Sequence, residues 1–109
     1  HGRYRGRVIG LTGGQSQLRR LQYRRIDSIL FATNTARAIV KAKLKNSRTL
    51  LMRYRRRRDL SSLNDPIARL SGLIDRADRC QTLNSLRGVE GIGTAVYFEG
   101  FRLLVKEDA

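Results

Sequence analysis

One apolar periodicity in the middle of the chain constrains the fold more than any other feature. From Ile29 to Tyr54 the residues follow the i, i+3, i+4, i+7 spacing of a single helix face. The stripe runs through Ala36, Ile39, Val40, Lys43, Ser47, Leu50, Leu51 and Tyr54. Lys43 interrupts this apolar stripe, and Asn46 flanks it. If these polar groups pack near the buried face, they would need hydrogen-bond partners. The pattern predicts one long helix, ended by the run Arg55 to Arg58, whose charge suits a helix C-terminus.

The residues before this helix predict a strand and a shorter helix. RYRGRVIGL, residues 3–11, holds aromatic and β-branched residues and precedes a Thr-Gly-Gly turn at 12–14, which is typical of a strand or hairpin arm. An isolated hairpin is marginal in water, so we expect further strands upstream. Ser16 can cap a helix that continues to Ile26.

The residues after the long helix predict two more helices. Asp65 as N-cap and Pro66 as first helical residue open a helix that reaches about Cys80. Residues 82–88 suggest a break or a short turn, and a last helix is predicted over 89–106. The fold class is therefore mainly α, with a short N-terminal β-strand or hairpin remnant followed by about four helices.

The charge of the chain is strongly positive and unevenly distributed. Its 109 residues include 23 Lys and Arg against 9 Asp and Glu, for a net charge of +14. The first 58 residues hold 17 of those basic residues and a single acid, Asp27. Such an imbalance indicates a polyanionic partner. Arginine outnumbers lysine 19 to 4, and guanidinium groups grip phosphate in a bidentate manner, which favours nucleic acid over a membrane surface.

The candidate phosphate contacts are basic side chains of the predicted helices. They are Arg19, Arg20, Arg24, Arg25, Lys41, Lys45, Arg48, Arg55, Arg56, Arg57 and Arg58. Scattered charge usually marks only a solvated face, but the lack of balancing acids favours phosphate contacts for a subset. Tyr23 and Tyr54 lie beside arginines and can stack on bases, although a tyrosine on an apolar stripe is more often part of a core.

Other features narrow the setting. No apolar run approaches the length of about 20 residues that a membrane-spanning helix needs, and no signal peptide is recognised. Cys80 is alone, which excludes an internal disulfide and a cysteine zinc site and fits a reducing compartment, so we expect a cytoplasmic protein. The chain begins at His1 and its one methionine is Met52, so we expect it to be a processed chain or a piece of a longer protein.

Glu90 is the acidic residue whose setting asks most for an explanation. It lies among Gly88, Gly91 and Gly93 at the predicted start of the last helix, and these glycines suggest close approach of another helix or a ligand. One interpretation is a favourable charge near a helix N-terminus, worth about 0.3 to 1 kcal/mol. The other is a ligand for a hard divalent cation, Mg²⁺ or Mn²⁺.

Three segments, in order along the chain, resemble the CRISPR-associated spacer-acquisition integrase and endonuclease family. GVEGIGTAVYF, residues 88–98, resembles that family's Gly-x-Glu-Gly-x-Ala-Ala-x-x-Tyr-Phe motif, with Gly93 and Thr94 in place of the alanines. LRRLQYR, residues 18–24, looks like the segment leaving its N-terminal β domain. ARAIVKAKLKNSRTLLMR, residues 36–53, is similar to its long helix, usually ending Lys-x-x-Asn-Gln-Arg-x-x-Leu, with Ser47 in place of glutamine.

The resemblance implies a metal-dependent DNA endonuclease that inserts spacer DNA into CRISPR arrays by attack of a 3′ hydroxyl on a phosphodiester. It implies that Glu90 is the first metal ligand and a catalytic residue, with Mg²⁺ or Mn²⁺ as cofactor. The family's further ligands are a histidine and an acidic residue on later helices, whereas the only histidine here is His1, so we expect this piece alone to be inactive.

The resemblance also implies a domain division and a set of partners. Residues 1–14 would end an N-terminal β domain, 15–28 would form a linker helix, and 29–109 would be the first part of a C-terminal helical catalytic domain. The implied partners are double-stranded and branched DNA, a second copy in a homodimer, and a small adaptation protein that bridges two dimers.

Two other classes of protein remain open at this point. The first is a non-catalytic, basic helical nucleic-acid-binding module in which Glu90 is only a helix-start charge. The second is a structural protein whose arginines coat an assembly surface such as ribosomal RNA.

Overall fold

The described part of the chain is entirely helical. A computed structural model describes the backbone of residues 11–108 and the side chains of residues 15–106. Helix α1 covers Leu11–Arg58, α2 covers Asn64–Arg79 and α3 covers Leu83–Asp108, with a 3₁₀ turn at Ser61–Leu63. The mainly α class is confirmed. No strand occurs among the described residues, and residues 3–10 of the predicted strand lie outside them.

Helix α1 replaces three predicted elements. The predicted turn at 12–14 and the predicted cap at Ser16 are wrong, because both lie inside a helix that begins at Leu11. The predicted linker helix and the predicted long helix form one continuous helix, because no glycine or proline between residues 15 and 58 interrupts it. The described residues therefore form three helices rather than about four.

The chain divides into two compact units, His1–Ala32 and Thr33–Ala109. In the first unit every described side chain, from residue 15 onward, is exposed. These include the large apolar residues Leu18, Leu21 and Ile26. The domain bounds predicted at residues 14 and 28 remain predictions.

The second unit contains the hydrophobic core, to which all three helices contribute. The stripe of α1 is confirmed at Val40 and Leu51, but Ile39 and Leu50 are exposed and Leu44 is buried in their place. The buried positions are those that the 3.6-residue period of the helix places on one face, and the apolar residues next to them in sequence point away from that face. The buried set consists of Val40, Leu44, Leu51, Leu63, Ile67, Leu70, Leu73, Ile74, Ala77, Cys80, Leu86, Val89, Val96 and Leu104.

The starts of α2 and α3 differ from prediction by two residues and by six. Asn64 begins α2, so Asp65 lies in its first turn rather than at the cap. Helix α3 begins at Leu83 because Thr82 caps it: the Ser85 amide donates to Thr82 Oγ1 at 3.1 Å. The predicted break at 82–88 is wrong, and the Thr-x-x-Ser sequence at 82–85 was the overlooked signal.

The C-terminus of α1 closes in a Schellman motif built on a non-glycine residue. Asp59 has a φ of 55°, and the Leu60 amide donates to the Arg55 carbonyl at 3.2 Å. Glycine occupies this left-handed position without steric cost, whereas an acidic residue there also faces the negative end of the helix dipole.

Replacing Asp59 with glycine is therefore expected to raise the free energy of unfolding by about 0.5 to 1 kcal/mol. Urea unfolding followed by circular dichroism measures the change. Asp75→Gly is the matched control, because Asp75 is exposed inside α2, where glycine is expected to destabilise by about 0.3 kcal/mol. Destabilisation by both variants would contradict the role assigned to the left-handed position.

Candidate functional site

Glu90 lies inside α3 rather than at its start. It is the eighth residue of the helix, counted from Leu83. Because the helix dipole acts mainly within the first turn, the interpretation of Glu90 as a helix-start charge is wrong. Its carboxylate needs another explanation.

The Glu90 carboxylate is paired with a lysine from α1. Lys43 Nζ donates to Glu90 Oε2 at 2.5 Å, and the side chains of Lys43 and Glu90 are 62% and 34% exposed. This pairing explains the polar residue that interrupts the apolar stripe of α1. The two residues are 47 positions apart in sequence, so only the packing of α1 against α3 brings them together.

The pair lies in a groove of about 250 Å³ between α1 and α3. Its apolar lining consists of Ala36, Ile39, Val40, Leu83 and Leu86, and its polar lining of Lys43, Arg87 and Glu90. Glu90 therefore lies beside apolar residues of both helices. Two cations and one carboxylate face the groove, so its lining is positively charged.

The glycines around Glu90 have different roles. A Cβ on Gly93 would overlap Leu44 Cδ2, so Gly93 lets α3 approach α1 closely. Nothing lies within 4 Å of a Cβ built on Gly88 or on Gly91. The explanation by close approach of a helix is confirmed for Gly93, whereas the described residues give no such contact at Gly88 and Gly91.

The described residues supply one candidate metal ligand and not a complete set. They contain no group of three or more His, Cys, Asp or Glu side chains able to hold a metal ion. Glu99, on the same helix, pairs with Arg69 at 2.8 Å. Mg²⁺ keeps several waters and uses one or two carboxylates with substrate phosphates. Among the described residues Glu90 is a single carboxylate already paired with Lys43, so its role as a metal ligand stays a prediction.

The predicted phosphate contacts include side chains that are engaged by other described residues of the protein. Lys41 pairs with Asp78 at 2.7 Å, and its hydrogen bond, helped by its charge, holds the pKa of the Asp78 carboxyl below its usual value. Arg48 donates to Ser71 Oγ at 3.1 Å. Arg55 donates to Asn64 Oδ1 at 2.9 Å. These three side chains join α1 to α2.

The other predicted contacts are exposed. Arg19, Arg20, Arg24 and Arg25 are exposed in the first unit, where Arg20 and Arg24 line a small groove of about 140 Å³. Lys45, Arg56, Arg57 and Arg58 are exposed on the part of α1 that belongs to the second unit. Tyr54 packs against the core, as a stripe tyrosine usually does, whereas Tyr23 is 66% exposed.

Sequence reasoning missed two arginines of α1. Arg53 joins Arg56 and Arg57 around a groove of about 410 Å³, and its spacing of three and four residues from them was the available signal. Among the described residues none of these three arginines has a hydrogen bond or an ion pair. Arg37 is structural instead: its Nε donates to the Cys80 carbonyl at 3.1 Å, beyond the last turn of α2.

Comparison with known proteins identifies the class and then the family. The family model that matches is described as CRISPR associated protein Cas1, and it covers residues 1–109. The CRISPR-associated endonuclease Cas1 1 of Methanospirillum hungatei is 44% identical over 67% of the chain, and that of Moorella thermoacetica is 30% identical over 97%. A Cas4/Cas1 fusion of Rhodospirillum rubrum is 36% identical over 85%. The chain belongs to the Cas1 family.

These matches span only part of each relative. The aligned region covers 22%, 32% and 17% of the three relatives' own lengths. No solved structure matches the chain. A search of the described helices for a stretch long and apolar enough to cross a membrane found none.

Proposed function

We propose that the chain is part of a metal-dependent DNA endonuclease and integrase that inserts spacer DNA into CRISPR arrays in antiviral defence. Glu90 supplies one ligand to Mg²⁺ or Mn²⁺, and the arginines of α1 bind DNA. The observation that carries the proposal is the family match over all 109 residues. It is supported by the position of Glu90, the carboxylate of the Gly-x-Glu-Gly segment, in a groove beside Lys43.

In this proposal the residues of the chain hold and orient the reacting groups, and they do not complete the active site by themselves. Glu90 is fixed on α3, whose close contact with α1 at Gly93 sets the distance between the two walls of the groove. Arg87 lines the same groove and is placed to bind a phosphate oxygen. When bound, a divalent ion acts as a Lewis acid on phosphoryl oxygens and lowers the pKa of a coordinated hydroxyl. The remaining ligands lie outside the described residues.

The partners proposed for the whole protein are double-stranded and branched DNA, a second copy in a homodimer, and a small CRISPR adaptation protein that bridges two dimers. The positive first half of the chain supports a DNA partner, because phosphate neutralisation drives most nonspecific affinity for DNA. We infer that Arg53, Arg56 and Arg57 are among the phosphate contacts. They line one groove without acidic partners in the described residues, whereas Arg55 is held by Asn64.

Replacing Arg53, Arg56 and Arg57 together with glutamine is expected to flatten the salt dependence of DNA binding. If each arginine neutralises one phosphate, the negative slope of log K against log salt becomes less steep by about 2 to 3 for duplex DNA. Fluorescence anisotropy with labelled duplex at several salt concentrations measures it. Arg69→Gln is the control, since Arg69 is already paired with Asp65 and Glu99. An unchanged slope in the triple variant would remove these arginines from the interface.

Cleavage of branched DNA by the complete protein carrying this sequence tests the function. The proposal predicts cleavage in Mn²⁺ that a chelator abolishes. If the protein binds the DNA but cleaves it neither in Mn²⁺ nor in chelator, the result would instead support a non-catalytic nucleic-acid-binding module.

A further inference from the structure

The position in front of the Glu90 carboxylate is already taken by a positive charge of the protein itself. Lys43 Nζ lies 2.5 Å from Glu90 Oε2. Because Mg²⁺ binds carboxylate oxygens at about 2.0 to 2.1 Å, an ion on this oxygen would occupy much of the space that the ammonium fills. The two positive charges would also repel each other at that separation.

We propose that Lys43 is an exchangeable counter-ion of Glu90. Its ammonium holds the carboxylate while no divalent ion is bound, gives way when the ion arrives, and then binds a phosphate oxygen of the DNA. The inference rests on the proposed function, because it takes Glu90 to be a metal ligand. It assigns Lys43 a positioning role that the ordinary interpretation, a surface ion pair between two helices, does not contain.

The exposure of the lysine makes the exchange feasible. The Lys43 side chain is 62% exposed and ends a flexible four-carbon stem, so its ammonium can leave the carboxylate while the stem stays in place. An exposed ion pair of this kind contributes little to stability, so breaking it costs little. The Glu90 side chain, at 34% exposure, moves less freely and keeps the carboxylate in the groove.

The charges lining the groove give the exchange a direction. Lys43 and Arg87 face one carboxylate, so the metal-free groove repels a divalent ion and attracts a phosphate. A DNA phosphate offers the ammonium a second partner and so frees Glu90 for the ion. DNA binding and metal binding should therefore strengthen each other, and the coupling must be reciprocal.

The test is the dissociation constant for Mn²⁺, measured on the complete protein by electron paramagnetic resonance without DNA. Lys43→Met removes the competing charge and is expected to bind Mn²⁺ about three- to tenfold more tightly than the wild type. Lys43→Arg keeps a charge and is expected to stay within about twofold of the wild type. Lys45→Met, which removes an exposed charge from the same helix, is the matched control for net charge.

Adding a duplex oligonucleotide supplies the second readout. DNA is expected to tighten Mn²⁺ binding in the wild type and to do so less in Lys43→Met, because the displaced ammonium no longer contributes. Thermal unfolding checks that the variants are folded. If Lys43→Met is not folded, Lys43→Gln takes its place.

The outcomes separate the inference from the proposed function. If Glu90→Gln loses Mn²⁺ affinity while Lys43→Met binds the ion as the wild type does, or more weakly, the counter-ion role is overturned and the metal ligand stands. An equal gain in Lys45→Met would also overturn it, since net charge alone would then explain the effect. If Glu90→Gln binds Mn²⁺ like the wild type, both the ligand assignment and the counter-ion role fail.

Discussion

Replacing Glu90 with glutamine is expected to lower metal-dependent DNA cleavage by the complete protein by on the order of 100-fold or more, since even residues that only support metal ligands typically cost 10- to 100-fold. Glutamine keeps the size of the side chain and removes its charge, so the loss reports on the carboxylate. The rate of cleavage of a branched DNA in Mn²⁺, measured with enzyme in excess, gives the effect without a contribution from turnover.

Glu99→Gln is the matched control for this variant. Glu99 lies on the same helix and is also a paired carboxylate, but its partner is Arg69 on α2 and it does not line the groove of Glu90. Because partly exposed ion pairs contribute little, this variant is expected to keep cleavage within about twofold. Equal losses in the two variants would show a general effect of charge on α3 and would count against Glu90 as a ligand.

Replacing Gly93 with alanine is expected to lower the free energy of unfolding by about 1 to 3 kcal/mol, the range for overpacking a well-packed core. The added Cβ would overlap Leu44 Cδ2, so the Leu44 side chain, which is 3% exposed, has to shift within the packed core. Gly91→Ala is the control: nothing lies within 4 Å of its Cβ, so it is expected to stabilise α3 by up to about 1 kcal/mol through helix propensity. Urea unfolding measures both.

A double variant checks that Leu44 is the cause. Leu44→Ala alone is expected to cost about 2 to 5 kcal/mol, because it leaves a cavity. The Gly93 methyl group would partly fill that cavity, so the double variant should be less destabilised than the sum of the single variants by about 0.5 to 3 kcal/mol. Strict additivity would contradict the close approach of α3 to α1 at Gly93.

The sequence predicted the helical core well wherever apolar spacing and helix-start signals agreed. The predicted helix after Pro66 is present, with Pro66 in its first turn, and Leu70, Ile74 and Ala77, spaced four and three residues apart, lie on its buried face. The errors fell where local signals compete. Thr82 and Ser85 form the cap of α3, whereas the prediction begins this helix at residue 89 and so puts Glu90 at a helix end.

The site was predictable in part. Glu90 was found through its neighbours in sequence, whereas Lys43 was noticed only as an interruption of an apolar stripe. Its partner depends on how α1 packs against α3, and no periodicity within one helix carries that information. The same holds for the basic residues, because composition predicts only a polyanion partner. Packing is what separates Arg55, which is bonded to Asn64, from Arg53, Arg56 and Arg57, which line a groove and have no hydrogen bond or ion pair within the described part of the chain.

A crystal structure of the complete protein grown in Mn²⁺ tests the central claim most directly, because Mn²⁺ scatters X-rays anomalously. The account predicts an anomalous peak at a coordination distance of about 2.0 to 2.3 Å from a Glu90 carboxylate oxygen, with Lys43 moved away from it. A Mn²⁺ peak elsewhere in the protein, with Glu90 still paired to Lys43, would contradict it.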